Sequence, residues 1–273
     1  MLKKEKIILQ NEYNRSQAIV KDSDYHNLFV NEKLVHSLQV FDAGNYLIRN
    51  ENIFKNWSIK LIRLARVAVL FHDIGRFQEV INLYHTPDQP NDHSLMGCDF
   101  LLAYPEYRDL RILLPVKHHG HLIEELYQDP DFYTIEDRQF KYEIEKIAFL
   151  VRDADKIANF KLLAHSNHDI RRLFHIELNA KLERTPLSPK VLPCVFEHKV
   201  VNRADIETVS DTILSLICWI FDLNYQSSFT FMQKTKCFDF LLHALRKSNS
   251  DSLIQQKIET EVNQYLNNKY QSI

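Results

Sequence analysis

His72 and Asp73 stand side by side at the end of the apolar run Val67 to Phe71. A neutral imidazole and an ionised carboxylate both offer lone pairs, so the pair suits metal binding or proton transfer. On a regular helix adjacent side chains point about 100° apart, so the two share one ion only where the helix frays. Alone, the dipeptide fits a capped helix end with solvated side chains equally well. Two further residues sharpen it. His36 lies beside Val35 on the apolar-stripe side of an upstream helical pattern, and Asp155 lies within a long apolar-patterned stretch, flanked by Ala154, Ile157 and Ala158. A carboxylate buried there is costly unless it is paired or bound to a metal.

A second group, His93, His118 and His119, falls between His72 and Asp155. Three of the four glycines (Gly75, Gly97 and Gly120) sit inside or beside the histidine segments, which favours a functional role for them. Imidazoles mixed with carboxylates suit transition metals better than calcium. Plainer roles also exist: a solvated helix end for His118 and His119, and a hydrogen-bonded first-turn residue for His93.

The spaced set His36…His72-Asp73…Asp155 resembles the H…HD…D signature of the HD superfamily of metal-dependent phosphohydrolases. Local context is similar too. His72-Asp73-Ile74-Gly75-Arg76-Phe77 resembles the HDIG(K/R) stretch, and Asp153-Ala154-Asp155-Lys156-Ile157 resembles the ADxL-type closing segment. The resemblance covers roughly residues 25 to 165 and identifies the superfamily, not the substrate. It implies His36, His72, Asp73 and Asp155 as metal ligands. Asp155 is preferred because it follows Ala154 and precedes Lys156 and Ile157. Asp153, about 200° away around the helix, cannot face the same ion and is left a supporting or solvated role. His93, in an HxxxG segment ending at Gly97, and the pair His118-His119 resemble the extra histidines of two-metal branches, with His119 the better ligand of the pair. Arg76 sits where the stretch often carries Lys; with Lys117 it is expected to neutralise phosphoryl oxygens, while Asp73 orients the attacking water.

The implied reaction is hydrolysis of a phosphomonoester or phosphodiester in a small, nucleotide-like phosphorylated substrate. Water activated by one or two divalent ions (Mn, Fe, Ni, Zn or Mg) would be the nucleophile, and His93 or His119 a proton donor. The branch that cleaves cyclic dinucleotides carries GYP after its His pair; here Gly120-His121-Leu122 follows, so that segment is missing. An HD-fold di-iron oxygenase is the alternative, and a non-catalytic metal-binding regulatory module the third reading. His121 is close enough in sequence for a supporting role. His26, His85, His165, His168, His175, His198 and His243 have no matching context and are expected on the surface or in ordinary hydrogen bonds.

The elements that must position these residues are helical in spacing. Leu34, Val35, Leu38 and Phe41 make one stripe of a helix from about Asn31 to about Ile48. A second helix, from near Trp57 through Phe71, is apolar on nearly all sides and should be central, with Gly75 as its stop. Tyr84 to Asn91, with Pro87 and Pro90, reads as a loop. Asp92 caps a helix carrying His93, Met96, Phe100 and Leu101. Another runs from about Arg108 to Lys117-His118-His119-Gly120, kinked by Pro115. Thr134, with Asp137 three residues on, marks the start of a long pattern through Phe140, Ile144, Ile147, Val151 and Ile157. Thr185 to Pro193, with three prolines, reads as a break. Helical patterns then follow at Ile206 to Phe221, Phe229 to Leu245 and Ile254 to Tyr265. Four glycines are too few for a β-rich or doubly wound fold. The expected architecture is all-α: an HD-domain-like helical bundle over 1–190 and a helical extension over 191–273. The extension caps the core or contacts other copies of the chain in a homo-oligomer.

Bulk composition narrows the function classes. At 273 residues, with 45% hydrophobic and 26% charged residues, the chain is long and apolar enough for a globular core. Lys plus Arg number 34 against 36 acidic residues, a net charge of -2, so no basic surplus suggests a nucleic-acid partner. Nothing near Met1 to Lys6 reads as a signal peptide or anchor, and no apolar stretch reaches the ~18 residues of a membrane span. The four cysteines are far apart and form no CxxC, which argues against a disulfide framework. A cytoplasmic protein is the economical expectation.

Overall fold

A computed structural model of the chain describes residues 2–89, 91–165, 185–249 and 251–271. The fold is all-α: among the described residues there is no β-strand, only an isolated bridge between Thr185 and Asn249. No helix among them is long and apolar enough to cross a membrane. Two compact units divide at Ala158/Asn159, ahead of the boundary expected at residue 190. Residues 166–184 lie outside the described residues, and His168 and His175 with them.

The first unit contains α1 (Lys3–Ile19), α2 (Asp24–Asn50), α3 (Asn52–Lys55), α4 (Ile59–Phe71), α5 (Arg76–His85), α6 (His93–Leu102), α7 (Leu110–His118), α8 (Ile123–Gln128) and α9 (Pro130–Tyr133). It also contains most of α10 (Arg138–His165). As its all-round apolarity predicts, α4 is central: Leu64, Ala65, Val67, Ala68, Val69, Leu70 and Phe71 are all buried. It packs against α2 and α7, which brings its C-terminal His72 to both. Each such Leu, Val or Phe contributes roughly 1.5–3 kcal/mol by leaving water, so the floor of the site is a firmly packed element. Ser58 begins α4, its Oγ accepting from Leu61 N–H at 3.2 Å.

Spacing did not predict α1, whose charged sequence hides a narrow buried edge. Ile8 and Leu9 are buried on it, and Glu5 is buried by an ion pair with Arg63. Thr134 does not start α10: it ends the short α9, and Asp137 is the cap, its carboxylate accepting from Gln139 N–H at 2.8 Å and Phe140 N–H at 3.1 Å. Aspartate is the better cap here because it is charged and faces the positive end of the helix dipole.

Gly75 is not a left-handed helix stop. Its φ is -69°, and it leads directly into α5. A glycine is required there for proximity: a Cβ at Gly75 would collide with the His93 carbonyl oxygen and the Gly97 amide nitrogen. The start of α5 therefore lies against the backbone of α6, and His93 is drawn toward Asp73.

The second unit contains helices at Leu192–Phe196, Val209–Cys218, Gln226–Thr235, Asp239–Ser248 and Ser252–Gln271. The single helix expected over Phe229 to Leu245 is two helices. Lys236 adopts a left-handed φ of 51°, which ends the first before the second begins. The proline-rich stretch from Thr185 is tied down by Asp211, which accepts from Ser188 N–H at 2.9 Å and Ser188 Oγ at 2.5 Å. The same carboxylate accepts from Glu207 and Thr208 N–H at 3.1 and 3.0 Å.

Candidate metal centre

Two triads of buried or half-buried donors can each hold a metal ion: His36, His72 and Asp155, and Asp73, His93 and His119. Within each, one donor atom per residue lies within 4.8 Å of the others. Small movements would gather such atoms around one ion at bond lengths of about 2 Å. The six come from five different helices or their ends, so no short sequence window contains the site. His72 and Asp73, adjacent in the turn that links α4 to α5, go to different triads. They remain close, with His72 Nε2 3.8 Å from Asp73 Oδ2.

The rings are aimed by the backbone. His72 Nδ1 lies 3.0 Å from the Val69 carbonyl oxygen, and His119 Nδ1 2.7 Å from that of Val116. A carbonyl only accepts, so each Nδ1 carries a proton, which leaves Nε2 as the atom that can present a lone pair. His72 Nε2 is buried without a hydrogen-bond partner, 3.9 Å from Asp155 Oδ1. His119 Nε2 lies 3.2 Å from Asp73 Oδ1 and 3.3 Å from His93 Nε2. Lone pairs turned toward carboxylates repel unless a cation or a proton lies between them. The donor set therefore fits a metal ion on its own chemistry.

The electrostatics agree. Burial pushes the His72 imidazole down to about 4 and the His93 imidazole down to about 2, so both rings are neutral near pH 7. Burial alone would raise the two aspartates. For Asp73 the nearby Arg76 and Lys33 cations more than offset it, and for Asp155 the hydrogen bond from His36 Nε2 at 2.9 Å does so. Both stay ionised, well below the usual carboxylate range.

Arg76 lies beside the second triad, its Nε 3.4 Å from Asp73 Oδ1, while Glu79 accepts from its Nη1 at 3.0 and 2.8 Å. Lys117 and His118 do not join the triads. Both are taken by Asp129, whose Oδ2 lies 2.7 Å from Lys117 Nζ and 2.6 Å from His118 Nε2. The carboxylate at the entry to α9 makes His118 a support for the end of α7. Asp153 is buried but outside both triads. Among the other histidines, His26 pairs with Ser23 at 2.7 Å and His198 with Glu261 at 2.8 Å, both ordinary polar contacts.

Three residues that the sequence reading passed over support the site. Lys33 Nζ lies 3.6 Å from Asp73 Oδ2. Glu79 anchors Arg76, and Arg152 Nη1 donates to the carbonyls of His118 at 3.0 Å, His119 at 3.3 Å and His121. Arg152 thereby caps the end of the helix that presents His119. A signal was present: Lys33, Glu79 and Arg152 each stand three residues from His36, Arg76 and Asp155, one helical turn away on the same side. Comparison with protein-family models, curated proteins and solved structures finds no match for this chain, so its chemistry rests on this geometry.

Proposed function

We propose that the chain is an HD-type metal-dependent phosphohydrolase acting on a phosphate ester of a small, nucleotide-like molecule. The observation that carries this reading is the pair of adjoining triads joined at His72-Asp73, each combining two imidazoles with one carboxylate. His36, His72 and Asp155 would hold one divalent ion, and Asp73, His93 and His119 a second, with Mn, Fe, Ni, Zn and Mg the candidates. Such ions lower the pKa of coordinated water and supply a nucleophile near neutral pH.

The chain's own residues do the rest. Val69 and Val116 carbonyls fix the tautomers of His72 and His119, so no reorientation is needed when the site fills. Asp73 stays ionised and can orient an attacking water by accepting its hydrogen bond. Arg76, held by Glu79, offers a fixed guanidinium to phosphoryl oxygens. The neutral ring of His93 supports a ligand role over that of proton donor.

The test is metal content of the purified protein together with turnover of a generic phosphodiester and a nucleotide panel, with added Mn²⁺, Ni²⁺ or Mg²⁺, for wild type and Asp73→Ala. Bound metal with turnover that disappears in the variant is expected. Metal without cleavage of any ester would overturn the hydrolase reading; iron together with O₂ consumption would put an oxygenase in its place.

A further inference from the structure

Two cations touch the same carboxylate from its two oxygens. Arg76 Nε is 3.4 Å from Asp73 Oδ1, and Lys33 Nζ is 3.6 Å from Asp73 Oδ2. Their situations differ. Arg76 has a second acid, Glu79, bonded at 2.8 Å. Among the described residues, Lys33 has Asp73 as its one ion-pair partner within 4.0 Å. Its ammonium otherwise faces the Phe29 ring, 5.3 Å from the centroid, and the side chain is only 21% exposed. Asp73 belongs to a metal triad. Asp155 and Glu79 also act on Lys33 from farther away, but Asp155 belongs to the other triad and Glu79 is bonded to Arg76. When ions take the charge of both aspartates, Lys33 is left a largely desolvated cation with little counter-charge, an arrangement that burial penalises. A loaded site therefore needs an anion beside Lys33.

We propose that Lys33 is a substrate-binding residue which, together with Arg76, holds a terminal phosphate, so that the substrate is a phosphomonoester and not a diester. The proposal rests on the phosphohydrolase reading above. Two cationic arms on the two oxygens of one carboxylate match the two negative charges that a terminal phosphate carries near neutral pH. A diester carries one. Lys33 is on α2, three residues before the ligand His36, so the helix that supplies a metal ligand also supplies the arm.

The test is calorimetric binding of inorganic phosphate and of dimethyl phosphate to the Mn²⁺-loaded full-length protein, for wild type, Lys33→Met and Lys33→Arg, with Mn²⁺ affinity measured for each. Wild type is expected to bind phosphate at least about tenfold more tightly than dimethyl phosphate. Lys33→Met should weaken phosphate by about tenfold or more with Mn²⁺ affinity retained, and Lys33→Arg should stay within about threefold of wild type. Equal phosphate binding by wild type and Lys33→Met, or equal affinity of wild type for the two anions, overturns the proposal. So does wild-type protein that holds Mn²⁺ and binds no phosphate. Lys33-dependent phosphate binding in a protein that hydrolyses no ester supports the anion site and removes the hydrolase reading alone.

Discussion

His36 on α2 and Asp155 on α10 are 119 positions apart in the chain and meet at 2.9 Å, Nε2 to Oδ1. This contact closes one triad, with His72 as its third member. Asp155→Ala should weaken metal binding on the order of 10–100-fold or more at that triad. Titration of the chelator-treated protein with Mn²⁺, followed by calorimetry, measures it. Unchanged affinity and stoichiometry would remove Asp155 from the ligand set.

The adjacent histidines should separate cleanly. His119→Ala removes a donor from the second triad, whereas His118 bonds Asp129 at 2.6 Å. His118→Gln is therefore expected to keep full metal stoichiometry while losing about 1–3 kcal/mol of stability, as the buried Asp129 gives up a partner. Equal loss of metal in both variants would contradict this division.

Metal-free protein should lose stability on mild acidification. An unfolded chain protonates His72 near pH 6.5, whereas burial keeps the folded ring neutral until about 4. Between those values the unfolded state binds the extra proton, so stability is fully present above about pH 6.5 and falls as pH drops toward 4. His72 alone accounts for about 3 kcal/mol over that window. Urea midpoints at pH 7.5 and 4.5 measure the effect, and His72→Gln should reduce the difference. Coincident wild-type midpoints would be incompatible with a buried neutral imidazole.

Gly75→Ala tests the close approach of α5 to α6. The added methyl meets the backbone of His93 and Gly97, which cannot swing aside as a side chain can. A loss of about 1–3 kcal/mol or more is expected, together with weaker metal binding, because His93 must move. A thermal melt and a metal titration of the same preparation read both; wild-type values in each would mean the backbones have room.

Asp211 is predicted to act on its own unit only. Four donors from Ser188, Glu207 and Thr208 converge on its carboxylate. Asp211→Ala leaves them unsatisfied and should cost about 3–5 kcal/mol. Metal stoichiometry of the folded protein should not change. Loss of metal in a folded variant would show coupling that this bond network does not contain.

Residue types and helical spacing by themselves determined the all-α class, the central position of α4, the Asp92 cap of α6 and the short list that includes His36, His72, Asp73, His93, His119 and Asp155. These were legible because apolar periodicity fixes which side of a helix is buried, and a histidine or aspartate at that side is costly without a partner. Tertiary structure alone decided how the list divides. The turn between α4 and α5 sends His72 and Asp73 to different triads, and Asp129, 10 positions beyond His119, captures Lys117 and His118. Lys33, Glu79 and Arg152 carried only the weak signal of standing one helical turn from a site residue: a charged residue on a helix is solvated by default, and only packing of neighbouring helices turns it inward. Gly75 shows the limit most plainly. Local sequence marks it as a helix stop, whereas its need for glycine comes from the backbone of α6, more than 15 residues later in the chain.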